Sequence, residues 1–192
     1  MSLFRQIGFL LHITRSSGIA RRYFVVNGFD GALTMLGLIT GFYVADDVAL
    51  EVVISACLGA GIALGISGVA SAYVSEAAER KKALDELERA MVADLEETAH
   101  GKAARLVPFL IAVVNGFSPF TFSLLIISPL WLAQRGPWYF LYPLEAAICL
   151  AFAVIFFLGI FLGKISGTFW LWSGIKTSLI ALGTMILILM LG

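Results

Sequence analysis

Charged side chains are scarce in this sequence. They make up 14% of its 192 residues, where a water-soluble domain carries about 25%. A chain so poor in charge cannot clothe a soluble globule. Cysteine is limited to Cys57 and Cys149, both inside apolar runs with no CxxC spacing and no histidine close by. That excludes a disulfide framework and leaves both as small buried apolar residues. Histidine occurs only at His12 and His100, and the sequence has no HExxH, no GxSxG and no glycine-rich phosphate loop. No catalytic constellation is therefore visible, and the chain is not expected to be an enzyme. The basic residues form no groove-sized patch, so nucleic acid is not an expected partner.

What is present is apolar: 60% of the residues are hydrophobic and the mean hydropathy is +0.95. The lipid bilayer is the expected solvent. Five long apolar segments appear, at 23–45, 52–75, 106–133, 143–163 and 169–191. Each has about 20 residues or more, enough to cross the hydrocarbon core as a helix. Helices satisfy their own backbone hydrogen bonds where lipid cannot. The predicted fold class is all-α, a polytopic membrane protein with five transmembrane helices. Pro119 and Pro129 predict a kink or break in the third.

Two segments lie outside this pattern. Residues 1–22 have a short apolar stretch followed by Arg15, Arg21 and Arg22 without a clear cleavage site. They are expected to form an amphipathic helix on the membrane surface rather than a signal peptide. Residues 76–105 are rich in Ala, Glu, Lys, Arg and Leu, a composition that favours helix. Leu84, Leu87, Met91 and Leu95 give them an apolar stripe that must bury against a partner helix, the membrane surface or a second copy of the chain. The expected division is thus 1–22, a first hairpin at 23–75, a helical linker at 76–105, and spans three to five at 106–192.

The formal net charge of zero conceals an asymmetry. Twelve of the thirteen basic residues fall in the N-terminal segment, the linker or the turn between the last two spans, on one side of the predicted membrane. Arg135 alone falls on the other, with Asp46, Asp47, Glu51 and Glu145. The excess of Lys and Arg places the N-terminus and linker in the cytoplasm and, with five spans, the C-terminus outside. A prokaryotic inner membrane is the expected location.

The sequence also repeats itself. Val25-Val-Asn-Gly-Phe29 returns as Val113-Val-Asn-Gly-Phe117, 88 residues later; Leu36 and Ile39 are matched by Leu124 and Ile127, and Leu50-Glu51 by Leu144-Glu145. Spans one and two read as a duplicate of spans three and four, each pair entering from the same side, a parallel repeat. The copies diverge at Asp30, which becomes Ser118, and Gly31, which becomes Pro119.

Asp30 is the leading functional candidate, because a carboxylate within a span is costly and marks a pathway or coordination site. Asn27 and Thr34 lie three and four residues to either side, so three oxygen-bearing side chains share a helix face that suits a hard or borderline cation. The competing reading has Asp30 capping a broken helix or pairing with Arg22. Glu51, near the outer end of span two, is a candidate exit position or an ordinary helix N-terminal carboxylate. Glu76 and Glu79 share a face in the linker, Glu86 lies further along it, and Glu96, Glu97 and His100 form a second group. Such groups could collect Fe²⁺, Mn²⁺ or Zn²⁺; alternatively they are a solvated helix surface paired with Arg80, Lys81, Lys82 and Arg89. Gly61, Gly65, Gly68 and Ala72 in span two are read as close-packing positions.

The run Asn27-Gly-Phe-Asp-Gly-Ala-Leu-Thr34 resembles the first-span motif of the vacuolar iron transporter family. Ser67-Gly-Val-Ala-Ser-Ala-Tyr-Val-Ser75, followed by Arg80 and an acidic helix, is similar to that family's second span running into a cytoplasmic metal-binding region. The resemblance covers nearly all of residues 22–192. It implies export of Fe²⁺ and Mn²⁺ from the cytoplasm against protons, by a homodimer whose pathway runs between subunits along the first-span aspartate, here matched by Asp30. The metal is substrate, with no tightly bound cofactor. The chain departs from the family at Gly68, where a methionine is usual, and at Ala72, where a glutamate is usual. A site lacking both would hold Fe²⁺ less selectively. The alternative is a relative without metal transport, acting as a binding or scaffold protein or carrying another small solute.

Overall fold

A computed structural model describes residues 16–45, 47–135 and 142–191. The expected surface helix at 1–22 therefore lies for the most part outside the described residues, as does Asp46. Among these residues five helices follow one another: α1 (Ser16–Val44), α2 (Leu50–Met91), α3 (Ala99–Arg135), α4 (Pro143–Ser166) and α5 (Trp170–Leu191). No strand occurs among the described residues. Each helix is long and apolar enough to cross a membrane, and the protein is an integral membrane protein.

The last two helices keep close to the expected bounds because their apolar runs end in strong stop signals. Pro143 opens α4, and Gly167 closes it in the left-handed region at φ 70°. The Thr168 amide then donates back to the Gly163 carbonyl at 3.0 Å, a closure that glycine permits without strain. The other bounds differ from expectation. α1 begins at Ser16, so residues 16–22 continue the first span as one helix. α2 runs without a break through Ser75 to Met91. At 1.5 Å per residue, 42 residues give about 63 Å, twice the hydrocarbon thickness, so its final turns stand outside the bilayer. The first half of the predicted linker is thus a rigid extension of α2. The chain returns through residues 92–98, where Glu88 Oε1 accepts the Leu95 amide at 2.9 Å and Thr98 Oγ1 accepts the His100 amide at 3.2 Å.

α3 is helical throughout despite Pro108, Pro119 and Pro129 in its interior. Proline removes an amide donor; Pro129 leaves the Leu125 carbonyl without its helical partner, and Ser128 Oγ donates to it at 2.7 Å.

α3 is the centre of the bundle, with its most extensive packing against α2 and α1. α1 and α3 run in the same direction, as the succession Gly28 against Ser118 and Gly31 against Pro119 shows. α2 runs antiparallel to α3, with Gly61 on Ser123, Gly65 on Phe120 and Gly68 on Gly116. Glycines bring these backbones together, as expected where lipid offers no hydrophobic drive for helix association. The main core, which includes Met35, Leu36, Ile39, Val53, Cys57, Ile126, Leu130 and Ile155, fills the half of the bundle towards the α1–α2 turn. A second cluster of Ala103, Val107 and Ile111, packed by Ile19 and Tyr23, fills the end beside the α2–α3 connection.

Candidate functional site

A polar seam lies where α1, α2 and α3 meet. Asn115, buried in α3, donates from Nδ2 to the Gly68 carbonyl of α2 at 2.7 Å. Its Oδ1 accepts from Asn27 Nδ2 of α1. Asn27 Nδ2 also donates to the Tyr23 carbonyl at 2.9 Å. One turn along, Ser118 Oγ donates to the Phe24 carbonyl. Within a bilayer such bonds fix helix register, because an unmet amide in hydrocarbon has no water to turn to. The close approach of Gly28 and Gly31 to α3 makes them possible: a Cβ on Gly31 would sit 2.8 Å from the Pro119 Cα.

Asp30 lies one turn beyond Asn27 at the edge of this seam and is exposed. No hydrogen bond or ion pair among the described residues involves its carboxylate; its backbone carbonyl accepts from Thr34 Oγ1 at 2.8 Å. Arg22 stacks on the Tyr23 ring, 5.8 Å from the centroid, so Arg22 and Asp30 are not paired. Asn27, Asp30 and Thr34 do share the face expected of them, half-buried, exposed and half-buried respectively. The Thr34 hydroxyl proton is spent on the backbone. α1 is helical on both sides of Asp30, so the carboxylate caps no break.

The linker candidates are dispersed. Glu76 turns inward, 3% exposed, where Tyr23 Oη donates to its Oε1 at 3.4 Å and Arg80 lies 3.7 Å from its Oε2. Glu79, one turn on, is exposed. Glu86 lies 4.0 Å from Lys82 and Glu96 3.3 Å from Arg105, on a surface where such pairs contribute little. Glu97 and His100 are exposed. Among the described residues no three His, Cys, Asp or Glu side chains are arranged to hold one metal ion. The structure therefore brings Asn27, Asp30 and Thr34 together and leaves the linker carboxylates apart.

At the opposite end of the bundle Glu51 is exposed in the first turn of α2. A cavity of about 410 Å³ lies nearby, lined by Asp47 and Glu145 with Phe42, Tyr43, Val48, Ala49 and Leu144; Glu51 is not among its walls. A groove of about 530 Å³ between α2 and α3, lined by residues such as Ile62, Ile66, Val69, Phe117 and Phe120, carries no titratable group.

Asn115, Tyr23 and Ser118 were not among the sequence candidates. The signal for Asn115 was the repeat, which makes it the counterpart of Asn27. Gly68 and Ala72 both face inward: a Cβ on Gly68 would lie 3.1 Å from Gly116 Cα, and Ala72 is buried. Neither position lines the groove between α2 and α3 described above.

The chain is 31% identical over 173 residues to the uncharacterized protein MJ0645 of Methanocaldococcus jannaschii, an alignment covering 88% of this chain and 87% of that relative. No family model matches the chain, and no solved structure matches it.

Proposed function

The chain belongs to the family of the uncharacterized protein MJ0645 of Methanocaldococcus jannaschii, and on that premise we propose that it is a divalent metal cation transporter. It exports Fe²⁺ or Mn²⁺ from the cytoplasm in exchange for protons, as a homodimer. The observation that carries this reading is Asp30: an exposed carboxylate on an apolar helix, without a hydrogen-bond or ion-pair partner among the described residues. A charge at that depth costs about 2.5–3.5 kcal/mol on insertion scales, and no hydrogen bond or ion pair among the described residues offsets it. A cation and a second subunit against α1 would do so.

The surroundings fit. Val26, one turn before Asp30, is 44% exposed, and a Cβ on Gly41, three turns after it on the same side of α1, would meet nothing within 4 Å, which leaves room for another helix along this face. The oxygens of Asn27 and Asp30 suit a hard or borderline ion. The contact between Asn27 and Asn115, 88 residues apart, is what a parallel duplication of the α1–α2 hairpin produces when equivalent residues meet near the axis relating the copies.

The test is flux into liposomes. Reconstituted wild-type chain should carry Mn²⁺ or Fe²⁺ down an imposed gradient, and Asp30→Ala should abolish it while leaving elution volume and helicity unchanged. Equal flux through both proteins overturns the proposal. Absence of flux from a well-folded wild type favours the alternative, a membrane binding or scaffold protein.

A further inference from the structure

We infer that Asn115 is a positioning residue, which fixes the Asn27 side chain so that its carbonyl oxygen, and not its amino group, is presented beside Asp30 as a second cation ligand. The inference deepens the transport reading and rests on it.

The argument is one of donors and acceptors. The Gly68 carbonyl can only accept, so the Asn115 group 2.7 Å from it must be the amino nitrogen. That turns the Asn115 carbonyl oxygen towards Asn27. A carbonyl oxygen again only accepts, so Asn27 must present its own amino nitrogen. The same nitrogen lies 2.9 Å from a second obligate acceptor, the Tyr23 carbonyl. Two backbone carbonyls and one intervening amide thus determine the orientation of both side chains. Both Asn27 N–H bonds are consumed. Its Oδ1 accepts no hydrogen bond among the described residues and is not sealed within the bundle.

Asn27 is half-buried and Asp30 exposed, and residues three apart on a helix are neighbours on its surface. An amide turned the other way would point two N–H dipoles at an arriving cation. The orientation imposed from α3 presents an oxygen instead. Asn115 touches neither Asp30 nor the ion; it acts through Asn27.

The test uses the full chain in lipid nanodiscs, with Mn²⁺ alone as the probe and free Mn²⁺ read by electron paramagnetic resonance. Asn115→Ala should weaken Mn²⁺ binding about tenfold, the loss typical of removing a partner that orients a ligand. In an Asn27→Asp background both side-chain atoms are oxygens and orientation ceases to matter, so adding Asn115→Ala should change affinity less than about twofold. Equal losses in both backgrounds would make Asn115 merely structural, and no loss in either would leave it without a role; both overturn the inference. Asn115→Ser is the second variant should Asn115→Ala not fold. A metal-free readout separates this from the transport reading. The Asn27 side-chain amide protons should be protected from exchange in wild type and lose protection in Asn115→Ala. Unprotected wild-type protons overturn the inference outright. Protected protons in a chain that binds no Mn²⁺ overturn the transport reading, and the ligand role with it, while leaving the order of the hydrogen bonds intact.

Discussion

At the scale of single residues the molecule depends on what glycine leaves out. A Cβ on Gly116 would run into the Gly65 carbonyl oxygen and the Val69 amide nitrogen as well as the Val69 side chain, and the first two belong to a neighbouring backbone that cannot yield as a side-chain tip can. Separating α2 from α3 there would also stretch the bond from Asn115 to Gly68, one residue away. Gly116→Ala should therefore destabilise the protein by about 1–3 kcal/mol, the usual cost of overpacking, seen as a lower thermal midpoint in detergent. Gly59→Ala is the control: nothing lies within 4 Å of the added methyl, and alanine is the better helix former, so its midpoint should hold or rise. A Gly116→Ala midpoint equal to that of Gly59→Ala would show that α2 and α3 are not held as closely as described. Asp30 illustrates how far a sequence reaches at this scale. Its cost, its place on α1 and its neighbours Asn27 and Thr34 follow from spacing. That Thr34 spends its proton on the Asp30 carbonyl depends on the rotamer within the helix, which spacing does not determine.

Among the elements, apolar run length made all five helices legible, and Pro143 and Gly167 made the bounds of α4 legible as well. The ends of α1 and α2 were not, because a change from apolar to polar composition marks where the membrane stops, and a helix rich in Ala, Glu and Lys has no reason to stop with it. α2 ends instead at Val92, which takes the left-handed conformation at φ 50°. Valine is poorly suited to that region, where a branched Cβ crowds the following carbonyl. Its side chain is 92% exposed, so it contributes almost no packing in return. Val92→Gly should raise stability by about 1 kcal/mol by relieving this strain, measured as a higher thermal midpoint with an unchanged helical signal. A decrease would mean that the turn is held by something other than the Glu88 carbonyl, which accepts the Val92 amide, and the Glu88 side chain, which accepts the Leu95 amide.

For the whole molecule, the distribution of charge decides how the bundle lies in its membrane. α1, α2 and α3 alternate in direction, so the start of α1, the 92–98 connection and the turn from α4 to α5 gather at one end, and the α1–α2 turn and Tyr142 at the other. Arg21, Arg22, Arg80, Lys81, Lys82, Arg89, Lys102, Arg105, Lys164 and Lys176 belong to the first end; Asp47, Glu51 and Glu145 belong to the second. Several of the basic groups are committed locally, Arg105 to Glu96 and Lys82 to Glu86, but the orienting effect counts Lys and Arg near the spans and gives acids little weight. The basic end should then face the cytoplasm, which is also the side from which Asp30, nearer that end of α1, would be loaded. A single-cysteine scan measures this. In a background carrying Cys57→Ser and Cys149→Ser, a membrane-impermeant maleimide applied to intact cells should label Tyr142→Cys, which is exposed beyond the spans, and should reach Ala93→Cys only after the membrane is opened. The reverse pattern would invert the proposed orientation: the acidic end around Asp47 and Glu145 would become the cytoplasmic side, and the proposed export direction would have to be abandoned even if Asp30 carries the ion.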